Sequence, residues 1–201
     1  MGSNARGLAG WQEARTTQSD QWWTYAVGCA RGLRAGAPPP TMTVHGLVMG
    51  RGEQPIVQGD VQYSRFWAAD GTYNRTSTFA LGHPAFVLST LAVGAMVNGS
   101  RKRAARRDAT MAWRETQQSS FLVTNRGILC HTTAKGWLRF DFAMVSEFHP
   151  DLPNWSVSLG FQEAAPLRLS GPAAPALALW CGHGILGNQW SADPRLAPLL
   201  A

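Results

Sequence analysis

Several kinds of residue and spacing are scarce or missing in this chain, and each absence removes a class of function. Cysteine occurs three times in 201 residues, at Cys29, Cys130 and Cys181, with no C-x-x-C pair. An odd number of widely spaced cysteines in apolar surroundings builds no disulfide framework and fits a reducing cytoplasm. Histidine occurs five times, at His45, His83, His131, His149 and His183, never as H-x-x-x-H or H-E-x-x-H. Cys130 and His131 are neighbours, so on a strand they point to opposite faces and cannot chelate one ion. Cys181 and His183 are too close in sequence to share one side of a helix. No metal or other cofactor is implied.

Nucleophile and phosphate signatures are missing too. There is no G-x-S-x-G elbow and no G-x-x-x-x-G-K-[ST] loop, although the chain has 21 glycines. Asp141 and Glu147 fall on one predicted strand, six apart and hence on one face, and read as solvated barrel-rim acids. The opening 30 residues contain Glu13 and Asp20 and no unbroken apolar core, so no secretory signal is expected. Lysine is almost absent: of 18 cations only Lys102 and Lys135 are lysines. With abundant Ala, Gly and Pro, that bias suggests a GC-rich bacterial genome.

What is present is apolar and aromatic. Hydrophobic residues make up 45% of the chain, with nine Trp and eight Phe, ample for a core. The formal charge of +6 is uneven, because five of the 18 cations, Arg101, Lys102, Arg103, Arg106 and Arg107, fall within seven positions. The remainder is close to balanced.

Periodicity divides the chain. Asp20–Gly36 is predicted helical, with Trp22, Ala26 and Leu33 recurring at helical spacing and Asp20 able to cap. The opening residues, MGSNARGLAG, are small and polar, and fraying is expected there. Gly36 and Pro38–Pro40 end the helix, so residues 1–40 form a helix and a stiff spacer ahead of a main domain at 41–187. From Thr41 the period becomes two. "TMTVHGLVM" and "IVQGDVQYSRFWA" are predicted strands, and Asp70-Gly71 marks a turn. A helical stretch follows from Pro84 to about Met111.

Strands resume in "ETQQSSFLVTNRGILCHTT", "GWLRFDFAMVSEFHP", "NWSVSLGF" and "PLRLSG". Turns are predicted at Asn125–Gly127, Lys135-Gly136, Pro150–Asn154 and Gln162–Pro166. Short, frequent strands with short connections predict an antiparallel sheet that curls or closes. Ser170 or Gly171 is expected to cap, and Pro172 to open, a last helix whose inner face carries Ala173, Leu177, Trp180 and Cys181. Residues 188–201 read as a tail. Trp137 and Trp155 are expected in the barrel core, with Trp180 plugging it from the helix.

The order of these segments resembles the bacterial pleckstrin-homology-like (PH-like) and GRAM-like domains, from about Val44 to Gly187. The resemblance rests on "FLVTNRGILCHT", where a strand ends in a Thr-Asn turn before an apolar strand. It continues through "GWLRFDFAMVSEFHPD", "WSVSLGF", "PLRLSG" and the helix opened by Pro172, and "GEQPIVQGDVQ" is similar to the family's opening strand. It implies an α+β fold, a curled antiparallel barrel capped by a C-terminal helix, and recognition rather than turnover. The chain departs from that pattern in a helical insertion of about 30 residues, near 82–113, and in the extra N-terminal helix.

Two features are candidate contact surfaces. Trp22 and Trp23 are adjacent, so one helix face cannot bury both, and at least one must meet another element, a partner or a lipid. The five-cation cluster follows an apolar stretch. Pro84–Val97 would reach ~21 Å as a helix against a ~30 Å hydrocarbon core, whereas Phe79–Val97 would reach ~28 Å. The readings, in order, are a packed helix with a solvated basic face, a contact with an anionic membrane surface, a true span over 79–97, and nucleic acid last. The expected function is a non-catalytic, cytoplasmic binding domain whose partner is a protein, a second copy or an anionic membrane face. No small-molecule substrate is implied. A membrane-anchored protein is the rival, and an enzyme of unknown class the more distant one.

Overall fold

The computed structural model describes residues 3–67 and 111–201, with side chains from residue 17 onward. Helix α1 spans Ser3–Arg34, longer than the predicted Asp20–Gly36 because it extends through the small polar residues where fraying was expected. Its contact face repeats every four residues. Ala26 and Ala30 are fully buried, and Trp22 packs against the same core. The helix stops as its sequence dictates. Gly36 takes φ +85, its N–H bonds to the Leu33 carbonyl, and the Ala37 N–H reaches back to Gly32 at 2.9 Å. That pairing satisfies carbonyls the helix end would otherwise leave open, and the prolines prevent continuation.

Seven strands follow: β1 (Pro55–Trp67), β2 (Ala112–Thr124), β3 (Gly127–Thr132), β4 (Gly136–Asp141), β5 (Val145–Asp151), β6 (Ser156–Phe161) and β7 (Leu167–Ser170). They form one antiparallel sheet in the order β4-β3-β2-β1-β7-β6-β5. The long β1 is the pivot. It pairs with β2 from Pro55↔Thr124 to Trp67↔Ala112, and Gln62–Arg65 also pair with Ser170–Leu167 of β7. One strand therefore belongs to both halves of the sheet. A register shift between Tyr63 and Arg65 sets a bulge in β2, where Glu115 takes φ +53. Such bulges bend a strand and increase its twist.

Twist brings the sheet's ends together. Phe140 of β4 and Phe161 of β6 lie 5.8 Å apart although their strands sit near opposite ends of the order. The sheet therefore curls, but β4 and β5 do not pair. A 3-10 turn, Phe142–Met144, links those two edge strands.

Helix α2 (Ala174–Leu186) fills the space inside, and its first nine residues are all buried. A helix apolar on every side belongs in a core. Gly184 permits the approach, since a Cβ there would strike the Phe142 ring. The helix starts later than expected, with Pro175 rather than Pro172 in its first turn and no side-chain cap; the Ala174 N–H bonds to the Gly171 carbonyl instead.

Four expectations are corrected. Residues 41–49 form no strand: Gly46 takes φ +82 and Val48 is fully exposed, so their alternation has no sheet to serve. Residues 188–201 are no loose tail, because 3-10 turns at Gly187–Ala192 and Ala197–Leu200 place Trp190, Leu196 and Leu199 in the core. Trp137 is 40% exposed rather than core, since β4 is an edge strand and carries it on the outer side with His131, 5.2 Å away. Asp141 and Glu147 share no strand, as the 3-10 turn lies between them. Trp180 is buried, as expected from the inner face of the last helix, and Cys130 is buried with His131 exposed, as strand alternation required.

The expected turn at Asp70-Gly71, the helical insertion from 82, the apolar stretch 79–97 and the basic cluster Arg101, Lys102, Arg103, Arg106 and Arg107 lie outside the described residues. The insertion's predicted end does not reach 113, because Ala112 and Trp113 belong to β2. The paired positions Trp67 and Ala112 locate the intervening chain within the β1–β2 hairpin. Among the described residues, no helix is long and apolar enough to cross a membrane.

Candidate binding cleft

Where β4 and the β6–β7 loop approach without pairing, they leave a cavity of about 330 Å³. Its apolar walls come from Leu138, Phe140, Met144 and Phe161, and Arg65 of β1 contributes to its lining. Strand alternation explains the arginine's position. Val61, Tyr63 and Arg65 are spaced two apart on β1 and are all buried, so a charge occupies a core-facing position.

Arg65 is 8% exposed. Its Nη2 donates to the Ala165 carbonyl at 2.5 Å and its Nη1 to the Tyr63 hydroxyl at 3.4 Å, while Nε has no partner. The guanidinium lies 5.1 Å from the Phe140 ring and 5.7 Å from that of Trp67, within cation–π range. Among the described residues no carboxylate forms an ion pair with it. Burial raises the Tyr63 hydroxyl's pKa, with Arg65 opposing that rise, and pushes the Cys130 thiol up to about 12. Both groups are thus neutral at ordinary pH.

A second polar group flanks the cleft. Arg139 Nη1 lies 2.8 Å from Glu53 Oε1, and Arg139 Nε lies 2.6 Å from Asp141 Oδ1. The Glu53 carboxylate also accepts the Thr124 hydroxyl at 2.8 Å and the Gly50 N–H at 3.0 Å. Burial works against its charge, but these donors outweigh burial and hold its pKa below the ordinary value. Asn125 adds a backbone-like clasp: its Oδ1 accepts the Gln54 N–H and its Nδ2 donates to the Gly52 carbonyl. The group fastens the 50–54 segment to the β2–β3 turn, and its acceptors are occupied.

The sequence-selected tryptophans lie elsewhere. Trp22 and Trp23 are both half-buried, Trp22 against Phe121 at 6.3 Å and Trp23 against Trp155 at 6.0 Å. Their adjacency is resolved by two different parts of the chain's own sheet region. Neither lines the cleft. Among the described residues no three His, Cys, Asp or Glu side chains are grouped to hold a metal ion.

Sequence reasoning did not select Arg65, Glu53 or Arg139. For Arg65 a signal existed, namely an arginine in phase with Val61 and Tyr63 on a strand otherwise apolar on that face. For Glu53 and Arg139 none existed, since their contact joins positions 86 apart. No protein-family model matches the chain, and no curated protein matches it.

Proposed function

We propose that the chain is a PH-like recognition module that binds rather than converts its target. The observation that supports this reading is the sheet organisation, in which a single long β1 is shared between a β4-β3-β2 half and a β7-β6-β5 half around a C-terminal helix. Titratable groups near the core are tied to structural work: the Glu53 carboxylate is saturated with donors, and burial keeps Cys130 and Cys181 as thiols rather than reactive thiolates. The proposed setting is the cytoplasm, consistent with three free cysteines.

The proposed partner is an anionic membrane surface, contacted through Arg101, Lys102, Arg103, Arg106 and Arg107. All five fall between the paired ends of β1 and β2, and each cation near an anionic bilayer contributes ~1 kcal/mol. Co-sedimentation with phosphatidylcholine vesicles, with and without phosphatidylserine, tests this. Binding should require phosphatidylserine, weaken with salt, and disappear when the five residues become Gln. Binding that ignores either change overturns the membrane reading and leaves a protein partner, for which the exposed Trp137 is the contact to probe. Recovery in the soluble fraction at low salt without detergent removes the alternative of an anchor at 79–97.

A further inference from the structure

We propose that the cleft beside Arg65 is a binding site for a small monocarboxylate with an apolar tail. This inference does not rest on the membrane reading and involves none of the basic cluster.

The charge is the first reason. A guanidinium has five N–H donors, and among the described residues Arg65 has two acceptors, one of them at 3.4 Å. Its Nε is buried with no partner, and no described carboxylate neutralises it. A buried charge without a counter-ion is costly, and aromatic faces offset only part of that cost. An anion in the adjoining cavity supplies the missing opposite charge.

Chemistry and size narrow the ligand. The walls offer Leu138, Phe140, Met144 and Phe161 to a tail and, among the described residues, one guanidinium with no ion-pair partner, because Arg139 is held by Glu53 and Asp141. A dianion such as a phosphate monoester would enter with one charge unmatched, whereas a carboxylate matches one guanidinium. Glu163, exposed on the β6–β7 loop, and the Arg139-bound Asp141 also line the cleft, and these two carboxylates weigh against any ligand that carries more than one negative charge. A volume of about 330 Å³ is at the small end for ligand sites. At ~30 Å³ per water-sized group it accommodates on the order of ten heavy atoms. The β2 bulge at Glu115 lies across from Ser64, next to Arg65 on β1, and bulges recur beside binding sites where they re-aim a side chain.

The test is calorimetric titration of the full chain with sub-micellar octanoate, octan-1-ol and octylammonium. Octanoate should bind roughly tenfold or more tightly than octanol, and octylammonium should not bind, because a hydrogen-bonded charge pair is the distinguishing interaction. In Arg65→Met the octanoate advantage should vanish while octanol binding persists. Ala164→Trp, a change at an exposed cleft residue that leaves Arg65 in place, should block both ligands and keeps the test available if Arg65→Met fails to fold. Equal affinity of the natural chain for octanoate and octanol overturns the proposal. So does an octanoate preference that survives Arg65→Met, or octanoate binding undiminished by Ala164→Trp.

Discussion

Arg139 on β4 holds Glu53, 86 residues earlier, at 2.8 Å, and the Glu53 side chain is almost fully buried while Arg139 remains 37% exposed. The pair ties the entry to β1 onto the edge of the sheet, and Thr124 and Gly50 complete the carboxylate's coordination. Replacing Glu53 by Gln keeps the shape and removes the charge. The expected cost is about 2 kcal/mol, the scale of hydrogen bonds to a charged group, read from denaturant unfolding.

The same contact sets an acid dependence. In the folded state the Glu53 pKa lies below its ordinary 4.5, so the charged form is the one folding favours. Its contribution is complete above that ordinary value and is lost as pH falls through the folded value. Melting temperature should therefore drop in acid, with a shallower drop in Glu53→Gln. Asp193, lowered chiefly by its hydrogen bond from Arg195, supplies a residual slope in both proteins. Parallel curves for the two proteins would refute the assignment.

Docking of α1 depends on close approach at Gly59, where a Cβ would sit 2.8 Å from Trp22 and 3.0 Å from Phe121. Gly59→Ala should displace one of these rings at a cost of about 1–3 kcal/mol, with changed near-ultraviolet circular dichroism. Trp22→Ala should cost roughly 2 kcal/mol, less than for a fully buried tryptophan. A chain beginning at Thr41 uncovers the surface that Ala26 and Ala30 bury, and it should aggregate.

The C-terminal turns are expected to behave as core. Leu199 is fully buried, and Arg31 of α1 donates to the Ala201 carbonyl at 2.7 Å. Leu199→Ala should cost about 2–5 kcal/mol, in the range for a buried leucine. A cost below half a kcal/mol, as for a surface site, would show the segment to be loose.

Burial raises the thiol pKa at all three cysteines, most strongly at Cys130 and Cys181. With an aromatic disulfide reagent at mildly alkaline pH, only half-buried Cys29 should react in the native protein, and slowly. Unfolding should release all three. Rapid native labelling of Cys181 would contradict the placement of α2.

Legibility in the sequence followed the range of the interactions. Strands β1, β2, β3, β6 and β7 were readable because alternation and turn residues are local: Thr124-Asn125 ends a strand, and Gln162–Pro166 cannot continue one, whereas β4 and β5 read as a single strand because the Phe142–Met144 turn between them has no glycine or proline to mark it. The 41–49 stretch misled because it has strand-like alternation but no neighbour to pair with. The last fourteen residues misled in the other direction, since Trp190, Leu196 and Leu199 are too sparse to show a period and are buried only by tertiary packing. The cleft was not legible at all. It arises where β4 meets the β6–β7 loop, a meeting set by sheet curl rather than by any short segment.

Cross-strand contacts of Tyr63 provide the most direct test, because the PH-like organisation and the cleft both require β1 to serve both halves of the sheet. Proton–proton Overhauser spectra of the full chain should place the Tyr63 backbone beside Gln117 of β2 and also beside Leu169 of β7. Contacts to β2 alone would mean that the halves do not share a strand, removing both the PH-like organisation and the cleft at Arg65.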